Sequence, residues 1–135
     1  MSRSDIVRRF YDAFSQRDLD ALLDTLDPDI EFEPLLGVLY DRHVFHGHDE
    51  MTQWYGQLAT EWDAFDGSVQ DALRVGDHVV AFVHLVAYRG AQSLDAEIGV
   101  ECHFRGDRIS SFVGRDAWDV AAELGRPPQG RASYG

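Results

Sequence analysis

Val79-Val80-Ala81-Phe82-Val83-His84-Leu85-Val86-Ala87-Tyr88 is the longest apolar stretch of the chain, interrupted only by His84. Its odd positions (Val79, Ala81, Val83, Leu85, Ala87) are all apolar, and its even positions (Val80, Phe82, His84, Val86, Tyr88) are mostly so. Ten residues cannot span a bilayer as a helix. Gly76-Asp77 before the run and Gly90 to Ser93 after it supply turns, so the run reads as a strand. A strand apolar on both sides is covered on both sides. Helices of the same domain can cover one. For the other we expect a second copy packing sheet against sheet, a homodimer through the sheet face. The alternative cover is the last helix or the C-terminal tail.

Working outward, 67–75, 94–105 and 108–116 also read as strands, with Gly106-Asp107 as a further turn. A closing helical turn covers 117–124 and ends at Gly125. Residues 126–135 read as a flexible tail beyond one domain over 1–125. Toward the N-terminus, Ile6, Val7, Phe10, Tyr11 and Phe14 share one face of a helix over 4–16, with Ser4 as N-cap. A short helix from Asp18 carries Leu19, Leu22, Leu23 and Leu26 and stops at Asp27-Pro28-Asp29. Residues 30–33 alternate as a half-buried strand, and 35–46 read as a loop with a short extended piece. A third helix follows Gly47, with Met51, Trp54, Tyr55, Leu58, Trp62 and Phe65 as its apolar stripe. Helices followed by a bent, mostly antiparallel sheet form an α+β plan with room for a cavity between the layers.

Composition narrows the function. The 135 residues make one domain, and 44% hydrophobic with 12% aromatic residues supply its core. Acids outnumber bases 24 to 12, which argues against nucleic acid and anionic membranes as partners. Every base is arginine, so Schiff-base chemistry and a P-loop have no lysine to use. The single Cys102 excludes an internal disulfide. No signal peptide stands at the N-terminus, and a soluble cytoplasmic protein is expected. His43, His46 and His48 lie near Asp41 and Asp49, but the spacing matches no standard site and reads as loop polarity; no metal and no cofactor are expected.

Four stretches carry a family resemblance. They are Phe10 to Phe14 followed by Asp18 to Leu22, then Asp27 to Gly37, then Phe45 to Asp49 leading to Trp54, and Gly76 to Val80. On these the chain resembles a SnoaL-like domain of the nuclear-transport-factor-2-like superfamily. The resemblance implies a cone-shaped roll: N-terminal helices within a curved, mixed, mostly antiparallel sheet, with a pocket at the open end. Superfamily members include ketosteroid isomerases, polyketide cyclases and proteins without known activity, so fold does not settle chemistry. The isomerases' tyrosine, base and strand acid align with Phe10, Pro34 and Val100, none of which carries the needed group. Chemistry of that type is rejected. In the cyclase-like arrangement the histidine position falls again on Val100, and Asp116 could supply the acid.

The candidate catalytic set is therefore His84 as base, Tyr55 as donor to a ligand oxygen, and Asp116 as orienter or second base. Alternation places His84 on the pocket side with Phe82, Val86 and Tyr88. The competing readings are a core histidine, a tyrosine bonded to a backbone carbonyl, and an aspartate capping the last helix. The pocket is expected to be lined by Phe10, Phe14, Phe32, Trp54, Leu58, Phe82, Tyr88, Val100, Cys102 and Phe112. Such walls suit a small hydrophobic, oxygenated molecule. An enzyme of this kind and a dimeric binding or accessory protein without chemistry both fit.

Overall fold

The computed structural model describes residues 2–34 and 44–124. The 35–43 part of the expected loop, with Asp41 and His43, and the expected tail lie outside them. Helix α1 (Arg3–Gln16) starts one residue earlier than its pattern suggests, and its N-cap is Ser2 rather than Ser4. The Ser2 hydroxyl accepts from the Asp5 amide and the Asp5 carboxylate accepts from the Ser2 amide, a reciprocal capping box. Asp18 caps α2 (Leu19–Asp24). Leu26 belongs instead to β1 (Leu26–Glu33), which begins before the proline expected to precede it. Pro28 is tolerated because β1 slips register on its neighbour between Leu26 and Glu31, where a missing amide costs no ladder bond. β2 (Phe45–His46) leads into α3 (Gly47–Glu61), and Phe65 falls outside that helix, in the next strand.

Four long strands follow as predicted: β3 (Ala64–Val75), β4 (His78–Arg89), β5 (Gln92–Arg105) and β6 (Arg108–Asp116). Among the described residues they form one six-stranded sheet in the order β2-β1-β6-β5-β4-β3. Only β1 and β6 run parallel, so the sheet is mixed and mostly antiparallel. It curves around α1 and α3, the α+β cone that the sequence predicts.

The two faces of β4 are both covered, by different helices. Val79, Ala81, Val83, Leu85 and Ala87 join the main core with α1 and α3. Val80 and Phe82 lie on the outer face, under Ala117, Val120 and Ala121 of α4 (Ala117–Leu124). The last helix is thus the cover over this part of the outer face, where a second copy was expected. Tyr88, at the end of β4, and Trp118, on α4 itself, stay exposed.

Two glycines let the helices come close. A Cβ on Gly67 would lie 2.6 Å from the Tyr11 ring of α1, and one on Gly99 would lie 2.6 Å from Val120 of α4. Ser15 completes the first contact: its hydroxyl donates to the Gly67 carbonyl and accepts from the Gly67 amide, covering part of the open edge of β3.

Gly99→Ala is expected to lower stability by about 1–3 kcal/mol, since the β-branched Val120 cannot swing clear. Val120→Ala in the same chain should recover much of that loss. Urea denaturation of the two single variants and the double variant measures the coupling; simple additivity would mean that α4 is not held at Gly99.

Candidate functional site

The inner layer leaves one open, aromatic cavity at the sheet's concave side. Phe10, Tyr11 and Phe14 come from α1, Trp54 from α3, Phe32 and Pro34 from β1 and its end, and Leu85, Ile98, Val100, Phe112 and Gly114 from the sheet. The space inside, open to water-sized molecules, amounts to ≈ 50 Å³ and widens into an open mouth. Phe32 organises the walls: its ring centroid is 4.6 Å from Trp54 and 4.8 Å from Phe112, and Phe10 lies 5.0 Å from Phe112. These tilted pairs are the arrangement aromatic quadrupoles prefer.

Six of the ten side chains expected to line the cavity do so: Phe10, Phe14, Phe32, Trp54, Val100 and Phe112. Leu58 and Cys102 are buried in the core without reaching the lining, and burial pushes the Cys102 thiol well above its ordinary range, leaving it inert. Phe82 and Tyr88 lie on the opposite face of the sheet, a correction to the expected side. The reason is the register. Arg89 pairs with Gln92 across the Gly90-Ala91 turn, so odd residues of β4 share a face with even residues of β5. Val100 stands opposite Ala81, not opposite Phe82.

The same register moves His84 to the outer face. Its Nε2 lies 2.6 Å from Asp95 Oδ1, and Glu97 is its cross-strand neighbour. Tyr55 donates its hydroxyl to the Phe14 carbonyl at 2.8 Å, tying α3 to α1. Asp116 accepts from the amides of Trp118 and Asp119 at the start of α4. The three side chains proposed as a catalytic set are therefore not brought together, and each takes its competing role or a new partner. Phe10, Pro34 and Val100, the positions aligned with the isomerases' polar groups, do all line the cavity. His46 lies 3.8 Å from Glu31, and His48 contacts the Leu26 carbonyl. Among the described residues no group of three or more His, Cys, Asp or Glu could hold a metal.

Sequence reasoning missed Tyr11, Pro34, Leu85, Ile98 and Gly114 as lining residues. Tyr11 is the consequential omission. It is 5% exposed. Burial raises its pKa well above the ordinary 10.0, so the phenol stays neutral. Trp54 is 4% exposed, and its indole nitrogen lacks a partner. On the outer face Glu97 is 7% exposed with Oε1 unpartnered, and burial raises its pKa although His84 opposes the shift.

This arrangement, a curved mixed sheet around a long helix with an apolar cavity inside, defines a cone-shaped small-domain class. The family is definite: the SnoaL-like domain model matches residues 7–112, and the chain belongs to that family. No curated protein matches the chain. Among solved structures it is similar to Bal32a from a soil-derived mobile gene cassette, with 21% identity over 84% of this chain and 87% of that one, TM-score 0.75. An NTF2-like protein of unknown function from Burkholderia pseudomallei shares 22% identity over 96% and 100%, TM-score 0.74. TerC, co-crystallised with polyporic acid, shares 17% identity over 91% and 98%, TM-score 0.74. At these identities the likeness shows the fold. No helix among the described residues is long and apolar enough to cross a membrane.

Glu97, on the outer face, gives the fold a pH signature. Its raised folded pKa means that its stabilising protonated form is complete below the ordinary 4.5 and is lost as pH rises through the folded value. Glu97→Gln should remove that decline. Thermal melts of both proteins across this range test it; parallel pH curves would place the Glu97 carboxyl in solvent.

Proposed function

We propose that the protein binds a small, flat, largely apolar molecule in the aromatic cavity and performs no acid–base chemistry on it there. The observation that carries this is the lining itself. Its described side chains are aromatic or aliphatic, with no carboxylate, imidazole, thiol or guanidinium among them. A proton cannot be moved between carbons without a base within hydrogen-bond reach. His84 and Asp116 belong to the outer face and to a helix cap, and the Tyr55 hydroxyl is already engaged. Membership of a family with cyclase- and isomerase-like relatives supports a small-molecule role. The polyporic acid printed for TerC supports the same reading by likeness of fold alone.

We also infer that two copies associate through the part of the outer face that α4 leaves open. Tyr88 at the end of β4 is 51% exposed, and Trp118 at the start of α4 is 67% exposed. Light scattering is expected to give twice the 15.3 kDa chain mass, and Trp118→Asp with Tyr88→Asp to return the monomer. A monomeric wild type at micromolar concentration overturns the dimer.

For the cavity, indane is a suitable bare hydrocarbon probe, read by Trp fluorescence or protein NMR shifts. Gly114 lines the wall opposite Val100, and Gly114→Leu fills space the probe needs. Its affinity should fall by about tenfold or more, some 1.4 kcal/mol, with the fold retained by circular dichroism. An unchanged affinity would place the binding site elsewhere.

A further inference from the structure

The cavity is small inside and open at one end, and both properties bear on how a ligand sits in it. Phe10, Val100 and Phe112 are its most enclosed lining side chains, none more than 2% exposed. Pro34 and Gly114 line the same space but are only half-buried, so the mouth lies between them. Local backbone chemistry places it there. The β1–β6 ladder ends at the Glu33–Val113 pair, and Pro34, which follows, has no amide hydrogen to carry it further. At roughly 10–15 Å³ for each water-sized group, the ≈ 50 Å³ inside admits about four methyl or methylene groups. A ring system does not fit there whole, but its alkyl end does.

The wall decides which end enters. It is almost wholly apolar. The Tyr55 hydroxyl is engaged by the Phe14 carbonyl, and Trp54 Nε1 is closed off from solvent. A polar group carried inside would give up its water without a partner, whereas burial of each methylene is favourable. Charge constrains the other end. With 24 acidic side chains against 12 basic ones, the chain repels an anionic head. Resting on the binding role of the cavity, we propose that the ligand is an alkyl-substituted aromatic compound bound end-on. Its alkyl end, about four carbons long, lies inside. Its ring lies at the mouth between Pro34 and Gly114, and an uncharged polar group beyond the ring faces water. Indane fits the same arrangement with its saturated ring edge inward. The depth of the cavity sets the chain length it accepts, and the wall excludes oxygen from the inserted end.

A 4-alkylphenol series tests this on the wild type by protein NMR titration. From 4-methylphenol to 4-butylphenol, each added methylene should tighten binding about fourfold. From 4-butylphenol to 4-hexylphenol the whole gain should be no more than about twofold, because the inner space is already full. In 3-(4-hydroxyphenyl)propan-1-ol a hydroxyl replaces the terminal methyl group of 4-butylphenol. It should bind about tenfold or more weakly than 4-butylphenol. In the wild-type complex the terminal methyl of 4-butylphenol should show NOEs to Phe10 and Phe112, and its ring protons to Pro34 and Gly114. Val100→Ala enlarges the inner space, so 4-hexylphenol should then exceed 4-butylphenol by about fourfold or more. The wild-type series and the NOEs stand whatever Val100→Ala does to the fold.

A gain that continues undiminished to 4-hexylphenol, or equal binding by the terminal alcohol, overturns end-on insertion. So do NOEs to Phe10 and Phe112 from the ring protons instead of the methyl, or an unchanged chain-length preference in a folded Val100→Ala. Indane binding alongside any of these leaves the apolar cavity reading intact. Failure of both indane and 4-propylphenol to bind near millimolar concentration removes the cavity reading and the proposal with it.

Discussion

Covering both faces of β4 is the constraint on which the rest of the molecule depends. Val79, Val80, Ala81, Phe82 and Val83 are all essentially inaccessible, although successive residues point to opposite sides of the sheet. Burying a side chain of this size gains about 1.5–3 kcal/mol, so leaving either face in water would forfeit much of a small domain's stability. The inner face is met by α1 and α3, and the outer by α4. Both contacts need glycine at the point of closest approach. Gly67 admits the Tyr11 ring, and Gly99 admits Val120. The outer helix is short, so it covers Val80 and Phe82 but not the β4 end at Tyr88.

The same arrangement explains why a cavity persists inside. Tyr11 is held against Gly67, and Tyr55 ties α3 to α1 by its bond to the Phe14 carbonyl. The two helices are thereby fixed to each other and to the sheet edge, and they do not collapse onto Val100 and Gly114. Large rings cannot fill the remaining space without leaving their tilted contacts. A void lined by aromatic rings forfeits dispersion contacts, a cost a ligand would offset.

Most of the fold is legible in the sequence because its elements carry strong local signals. The hairpin turns at Gly76-Asp77 and Gly106-Asp107 and the helix periodicity of Ile6 to Phe14 each point to one structure. Pro28 misleads, since a proline at a register slip looks like a helix stop. The site was less legible, for one reason. When both faces of a strand are apolar, alternation cannot say which face is inward. His84 attracts attention as a polar residue in an apolar run, but the run has an outer side that is also covered. The deciding signal was available in the turn: a two-residue connection at Gly90-Ala91 puts Val100 on the face of Ala81 and therefore opposite to that of His84. Tyr11 shares its helix face with Ile6, Val7, Phe10 and Phe14, and periodicity alone does not say which of these side chains meet a cavity rather than close-packed core.

The lining bears on what the cavity can do. Phe10, Pro34 and Val100, which the resemblance aligns with the isomerases' polar groups, all line the cavity and carry none of that chemistry. A carboxylate at Val100, which is fully buried, would require desolvation and a partner. Valine there imposes no such cost, so the cavity holds its shape without a buried charge. What remains is an almost wholly apolar wall. Among the described lining residues no carboxylate, imidazole or thiol stands ready to accept a proton.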